Sequence, residues 1–217
     1  MAIKGLSKPI VAEYKATGDT VTYEEPYAAD CAVEYSVKVN TGDSKDLYAD
    51  NGVKESSKST FSSGDLTLKT ADMGPKLSSK ILGLKTATRQ VGEDTVTEVI
   101  YDDQQNTTYK GFGIIEEHEN DGVTGYLPVV FPRVRFDIPA DAATTRGESI
   151  DWQTKEISGT ILRSAQNDEK YKHPWKISPE EPMTTEADAV KYILTVFGSK
   201  STSLQTQGTT ETGKAVK

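Results

Sequence analysis

A chain of 217 residues is long enough to bury a substantial core, yet only 35% of it is hydrophobic and its mean hydropathy is −0.54, so much of the surface has to be polar. The net charge of −8 argues against holding nucleic acid through phosphate contacts or docking on anionic lipid, since both need a basic footprint. One cysteine, Cys31, excludes an internal disulfide, and no apolar run approaches the roughly 20 residues of a membrane span.

Residues 1–8 are polar apart from Ile3 and Leu6 and predict an N-terminal arm, with no apolar h-region and hence no expected signal peptide. Pro9–Lys15 predicts a first strand, turned at Thr17-Gly18-Asp19 into a short partner over Thr20–Tyr23. Ala29–Asn40 alternates cleanly, with Cys31, Val33, Tyr35, Val37 and Val39 on a core face and Ala32, Glu34, Ser36 and Lys38 on a polar one. In that register Cys31 is a small buried hydrophobe rather than a nucleophile. Thr41–Gly64 has few apolar anchors over a length uncommon for a loop in a compact domain. Leu47 and Tyr48 precede the turn signal Asp50-Asn51-Gly52, which predicts a small hairpin within it. Exposed Leu47, Tyr48 and Val53 there either pack on another molecule or fold back on their own domain.

Phe61–Lys69 predicts a strand with Leu66 and Leu68 on one face. Asp72 then offers a cap for a short helix with Gly74-Pro75 in its first turn, an apolar stripe at Leu77, Ile81 and Leu84, and Gly83 near its end. Another strand is expected at Thr95–Tyr101, followed by a long hairpin over Tyr109–Pro139 that turns at Glu119-Asn120-Asp121-Gly122. In its first run Gly111 and Gly113 predict a bulge or a close backbone approach. In its second, Val130, Val134, Phe136 and Ile138 share one face, while Leu127, Val129 and Phe131 share the other, which turns charged at Arg133, Arg135 and Asp137. Pro128 and Pro132 place this strand at an edge or make it bulge. A last strand is expected over Ile150–Ser164, with Ile157, Gly159 and Ile161 on one face and Trp152 on the other. Asn167–Lys170 then turns the chain, and Thr184 or Thr185 caps a final helix with Val190, Ile193, Leu194 and Phe197 on its apolar stripe and Gly198 at its end. Residues 199–217 are too polar to pack and predict a flexible tail. The sum is a mainly β, antiparallel chain with one or two flanking helices, a single domain over 1–198 and a tail beyond it.

No catalytic or metal constellation emerges. His118 lies among Glu116, Glu117, Glu119 and Asp121, but alternate residues of a strand face opposite ways, so the spacing predicts a solvated acidic hairpin tip rather than a cage. His173, before Pro174-Trp175, reads as a structural strand residue. There is no Gly-rich phosphate loop, GxSxG or CxxC pair, so neither an enzyme nor a cofactor is expected.

Taken in order, Met1–Leu6 with its Pro9 strand, Leu47-Tyr48-Ala49-Asp50-Asn51, the Leu77–Gly83 helix, Tyr109–Gly113, Ser158–Lys176 ending in His173-Pro174-Trp175-Lys176, and the helix closing in Phe197-Gly198 resemble the major tail proteins (tail tube proteins) of long, non-contractile-tailed bacteriophages. The resemblance spans residues 1 to about 198 and rests on order and spacing, because the family has no catalytic signature. It implies an antiparallel β-sandwich or barrel with a flanking helix, in which six copies close a ring and rings stack into a tube. It also implies partners: further copies of the chain, the tape measure protein, and tail terminator and initiator proteins of a virion, with genomic DNA passing unbound and no membrane involved. The arm and the long loop become connectors, and the candidate inter-subunit residues are Ile3, Leu6, Leu47, Tyr48, Asp50, Asn51 and Val53. The acidic balance then suits a lumen that repels DNA phosphates. Two other functions fit the same strands: a β-sandwich carbohydrate-binding or adhesion module using Trp152 and Trp175, and a terminator or connector that stops at one ring.

Overall fold

The computed structural model describes residues 2–29, 32–57, 59–71, 74–103, 107–140, 154–198 and 205–206. The chain is mainly β. In chain order the elements are β1 (Ala2–Thr17), β2 (Thr20–Ala28), β3 (Ala32–Thr41), β4 (Asp46–Ala49), β5 (Gly52–Ser56), β6 (Phe61–Thr70), α1 (Pro75–Leu82), β7 (Lys85–Val91), β8 (Asp94–Ile100), β9 (Lys110–Asn120), β10 (Val123–Phe136), β11 (Lys155–Ile161), α2 (Glu186–Val196) and β12 (Gln205–Thr206). Eight strands form one sheet in the order β12-β2-β1-β9-β10-β11-β6-β3, and β4-β5 and β7-β8 form separate two-stranded ribbons. Every pairing is antiparallel except the short β12–β2 contact, which is parallel.

The large sheet bends over a single main core. Val11, Tyr27, Leu66, Leu68, Phe112, Ile114, Phe131, Phe136, Ile157 and Ile161 meet there, with α1 closing one end through Leu77, Ile81 and Leu82. Strands from both ends of the sheet reach this cluster, so the sheet curls like a partly closed barrel. On the outer face of β1, β9 and β10, α2 covers Ile10, Ala12, Ile115 and Val130 with Ala189, Ile193 and Phe197. Thr185 caps α2 by accepting from Asp188 N at 3.1 Å, as expected. In α1 the cap is Gly74, with Pro75 in the first turn and Gly83 in the left-handed region at the C-terminus. Asp72, expected as that cap, lies outside the described residues, as do Cys31 and Trp152.

Several expectations are corrected. Residues 2–8 are not a free arm: they open β1 and pair with β9 from Ala2↔Glu119 onward. A mostly polar strand is recruited here by ladder hydrogen bonds, with Leu6 as its apolar contact to the main core. The ladder slips between Ser7 and Ile10, where Pro9 supplies no donor and Lys8 takes φ 48°. The partner strand β2 runs on to Ala28, and β11 stops at Ile161, short of the expected Ser164, while residues 150–153 of that expectation lie outside the described residues. Strand β7 has no counterpart among the predicted elements. On the far side, Gln205 and Thr206 pair with β2 inside the segment expected to be wholly flexible.

Two bulges explain the errors of facing. In β10 the register runs from Phe131↔Phe112 to Val134↔Lys110, so β10 carries one extra residue around Pro132. That residue reverses the side-chain parity. Val134 and Phe136 therefore join Val129 and Phe131 in the main core, Val130 turns to α2, and Ile138 is exposed. The strand is central, and of the two proline alternatives the bulge holds. Near Pro128, β10 is flanked by irregular chain instead of β11: Val130 bridges Ile177, and Ser178 Oγ donates to the Pro128 carbonyl at 2.9 Å. In β3 the slip between Ala32 and Glu34 likewise puts Ala32 with Tyr35 and Val37 against the core and leaves Val33 exposed.

Candidate assembly surface

The loop Thr41–Gly64 is built as a projecting arm. Its base continues the β3–β6 ladder: Gly42 N donates to Thr60 O at 2.9 Å and Ser57 N to Lys45 O at 2.8 Å, and Lys45 N donates to Ser57 Oγ at 2.7 Å. Beyond these rungs β4 and β5 pair, and the chain reverses at Asp50 and Asn51, both in the left-handed region with φ 50° and 65°. Two successive residues with positive φ make a type I′ turn, whose twist matches a hairpin, and Asp and Asn tolerate it best after glycine. Tyr48 and Val53 are cross-strand partners and stand 67% and 54% exposed. All of Gly52–Ser56 is exposed, so this ribbon finds little support from the body.

The other candidate residues divide. Ile3 is 60% exposed on β1, opposite His118 of β9. Leu6 is half-buried against the main core and supports the fold rather than offering a contact. Leu47 pairs through its backbone with Glu55; its side chain is outside the description. Asp50 and Asn51 shape the turn, leaving Tyr48 and Val53 as the apolar pair that the arm presents.

A second ribbon is only half legible in the sequence: β8 answers to the strand expected at Thr95–Tyr101, and β7 is missed. Strands β7 and β8 form a hairpin turned at Gly92-Glu93, with Gly92 at φ 63°. Arg89 Nε and Nη2 grip Glu98 Oε2 and Oε1 at 2.6 and 2.9 Å across the pair. Val91, Val96, Ile100 and Tyr101 are exposed along it. Its signals were Val91-Gly92-Glu93-Asp94, a glycine turn between β-branched residues, set against a β7 too polar to show alternation.

The acidic hairpin tip is only half solvated. Glu117 and Glu119 do face outward, where Lys4 Nζ reaches Glu119 Oε2 at 2.9 Å. Glu116 and His118, on the opposite face as the strand period requires, point inward with side chains 10% and 12% exposed. His118 Nε2 lies 2.9 Å from Glu116 Oε2, and the Tyr35 hydroxyl of β3 donates to Glu116 Oε1. Burial, helped by that bond to a carboxylate, pushes the Tyr35 hydroxyl well above its ordinary pKa. This group ties β3, at one edge of the curled sheet, back to the central strand β9. His173 sits in a bend with φ 54°, its Nδ1 3.0 Å from the Ser164 carbonyl, and is a turn former and not a strand residue. Trp175 lies flat on Phe61, ring centroids 4.4 Å apart and planes 4° apart, packed against the core.

No protein-family model matches the chain, and no curated protein matches it. Among the described residues no group of three or more His, Cys, Asp or Glu is placed to hold a metal ion, and no helix is long and apolar enough to cross a membrane.

Proposed function

We propose that this chain is a structural subunit of a phage tail tube, polymerising as stacked rings, with six copies to a ring, around a channel through which DNA passes. The observation that carries the proposal is the β4–β5 arm. A two-stranded ribbon is marginal in water unless another surface covers it, and this one presents Tyr48 and Val53 to solvent at the end of a hydrogen-bonded stalk. A neighbouring copy covers it in the assembled tube. The exposed edge of β3, with Val33 and Val39 on it, and the β7–β8 ribbon add surfaces of the same kind. A head-to-tail contact that does not close on itself makes a filament, which is what a tail tube requires. Against the carbohydrate-binding alternative, Phe61 covers one face of Trp175 and the ring packs against the core.

Negative-stain electron microscopy over a range of concentrations, with light scattering beside it, tests the proposal. Hollow tubes or stacked rings are the expected product. Single closed rings that never stack would favour a terminator or connector, and a monodisperse monomer across the whole range would overturn self-assembly.

A further inference from the structure

Where β3 comes over the start of β1, the curled sheet leaves a pocket of about 330 Å³. Val37, Val39, Phe131 and Trp175 give it apolar walls, Glu116 lines its inner part, and Lys176 lies at its rim. The Glu116 side chain is nine-tenths buried. Each of its oxygens meets one partner, the Tyr35 hydroxyl or His118 Nε2. An ionised carboxylate has about four acceptor positions, so two remain for a ligand. Among the described residues no Lys or Arg pairs with Glu116, and the buried Nδ1 of His118 has no hydrogen-bond partner. A carboxylate this deep is costly unless its oxygens are satisfied, and the open side of the pocket is where a further donor can enter. Lys176 is exposed and makes no ion pair among the described residues, so a second charge of opposite sign waits at the entrance.

We infer that this pocket is a binding site for a small amphipathic zwitterion, whose ammonium meets Glu116, whose apolar stem lies along Val37 and Trp175, and whose carboxylate meets Lys176. The volume lies at the lower end of the range for small-ligand sites, which fits a molecule of amino-acid size. The site sits on the seam of the curled sheet and not on the arm, but Ile3 and Val39, named above among the assembly surfaces, also line it, so binding is tested on the unassembled chain.

The test is an NMR titration of the full chain, following the His118 ring and the Trp175 indole. ε-Aminocaproate is the probe, with hexylamine and hexanoate as half-ligands. Saturable shifts with ε-aminocaproate in the millimolar range are expected, with hexanoate far weaker. Glu116→Gln should weaken ε-aminocaproate binding by about tenfold or more, since it removes the charge that faces the ammonium. Lys176→Glu, a change at an exposed position that leaves the core alone, should retain hexylamine and lose the preference for ε-aminocaproate. No saturable shift in the wild type, hexanoate binding as well as ε-aminocaproate, or a Lys176→Glu chain that still prefers ε-aminocaproate would each overturn the assignment.

Discussion

Gly113 has no room for a side chain, because a Cβ there would lie 2.6 Å from Ile193 Cγ2 of α2. Gly111 is closed off in the same way by Phe197 and Tyr23. The close approach expected at these glycines is thus helix on strand, and it lets α2 lie flat on β9. Gly113→Ala should cost about 1–3 kcal/mol in urea unfolding, and less when introduced into an Ile193→Ala background, which removes the Cγ2 methyl that the new Cβ meets. An unchanged midpoint would mean that α2 docks more loosely than drawn. Lys110 makes a second prediction at this scale. It is buried, and desolvation lowers its pKa against the opposing pull of Glu13 and Glu25. The unfolded chain therefore binds that proton more readily, so the folded state is penalised below the depressed pKa and relieved as pH rises toward the ordinary lysine value. Lys110→Met should be more stable than the wild type at neutral pH, and the margin should shrink as pH climbs toward 10.5. A margin that stays constant or widens would place the lysine head in solvent.

At the scale of elements, parity decides what each strand buries. The alternating patterns of β3 and β10 mark strands correctly, but an apolar list cannot reveal where one extra residue enters a ladder. Pro132 marks the bulge in β10 through its missing donor, while nothing in Ala32-Val33-Glu34 marks the slip in β3. Val134, placed by sequence on a face with Val130, is fully buried in the other layer, so either placement makes it intolerant of charge. Val134→Asp should lose on the order of 3–5 kcal/mol through an unpaired buried carboxylate and fail to fold. Circular dichroism and solubility check this, and a folded soluble variant of wild-type stability would contradict the packing of β10. Helices were easier to read, because α2 carries its cap, stripe and terminal glycine within one short stretch, and local signals suffice for a local element. Strand β1 lies at the other extreme, since its first residues are strand only because β9 is beside them.

For the whole molecule, the assembly role proposed for the arm can be tested apart from folding. Its stalk is bridged at Gly42 and Thr60, so removing 45–59 leaves two ends already held together. The shortened chain should stay folded, with a thermal midpoint close to that of the wild type, and should no longer form tubes in the electron microscope. Normal tubes from that deletion would take the connector role away from Tyr48 and Val53. Sequence alone settles the β class, the two helices and the Asp50-Asn51 and Asp121-Gly122 turns, because each follows from backbone preferences and side-chain periods within a few residues. Tertiary structure alone decides the pairing of β1 with β9, the layer to which Val134 belongs, and the inward tie of Tyr35, Glu116 and His118. Those depend on ladder register between segments distant in the chain, and a single inserted residue reverses a face without altering composition or local pattern.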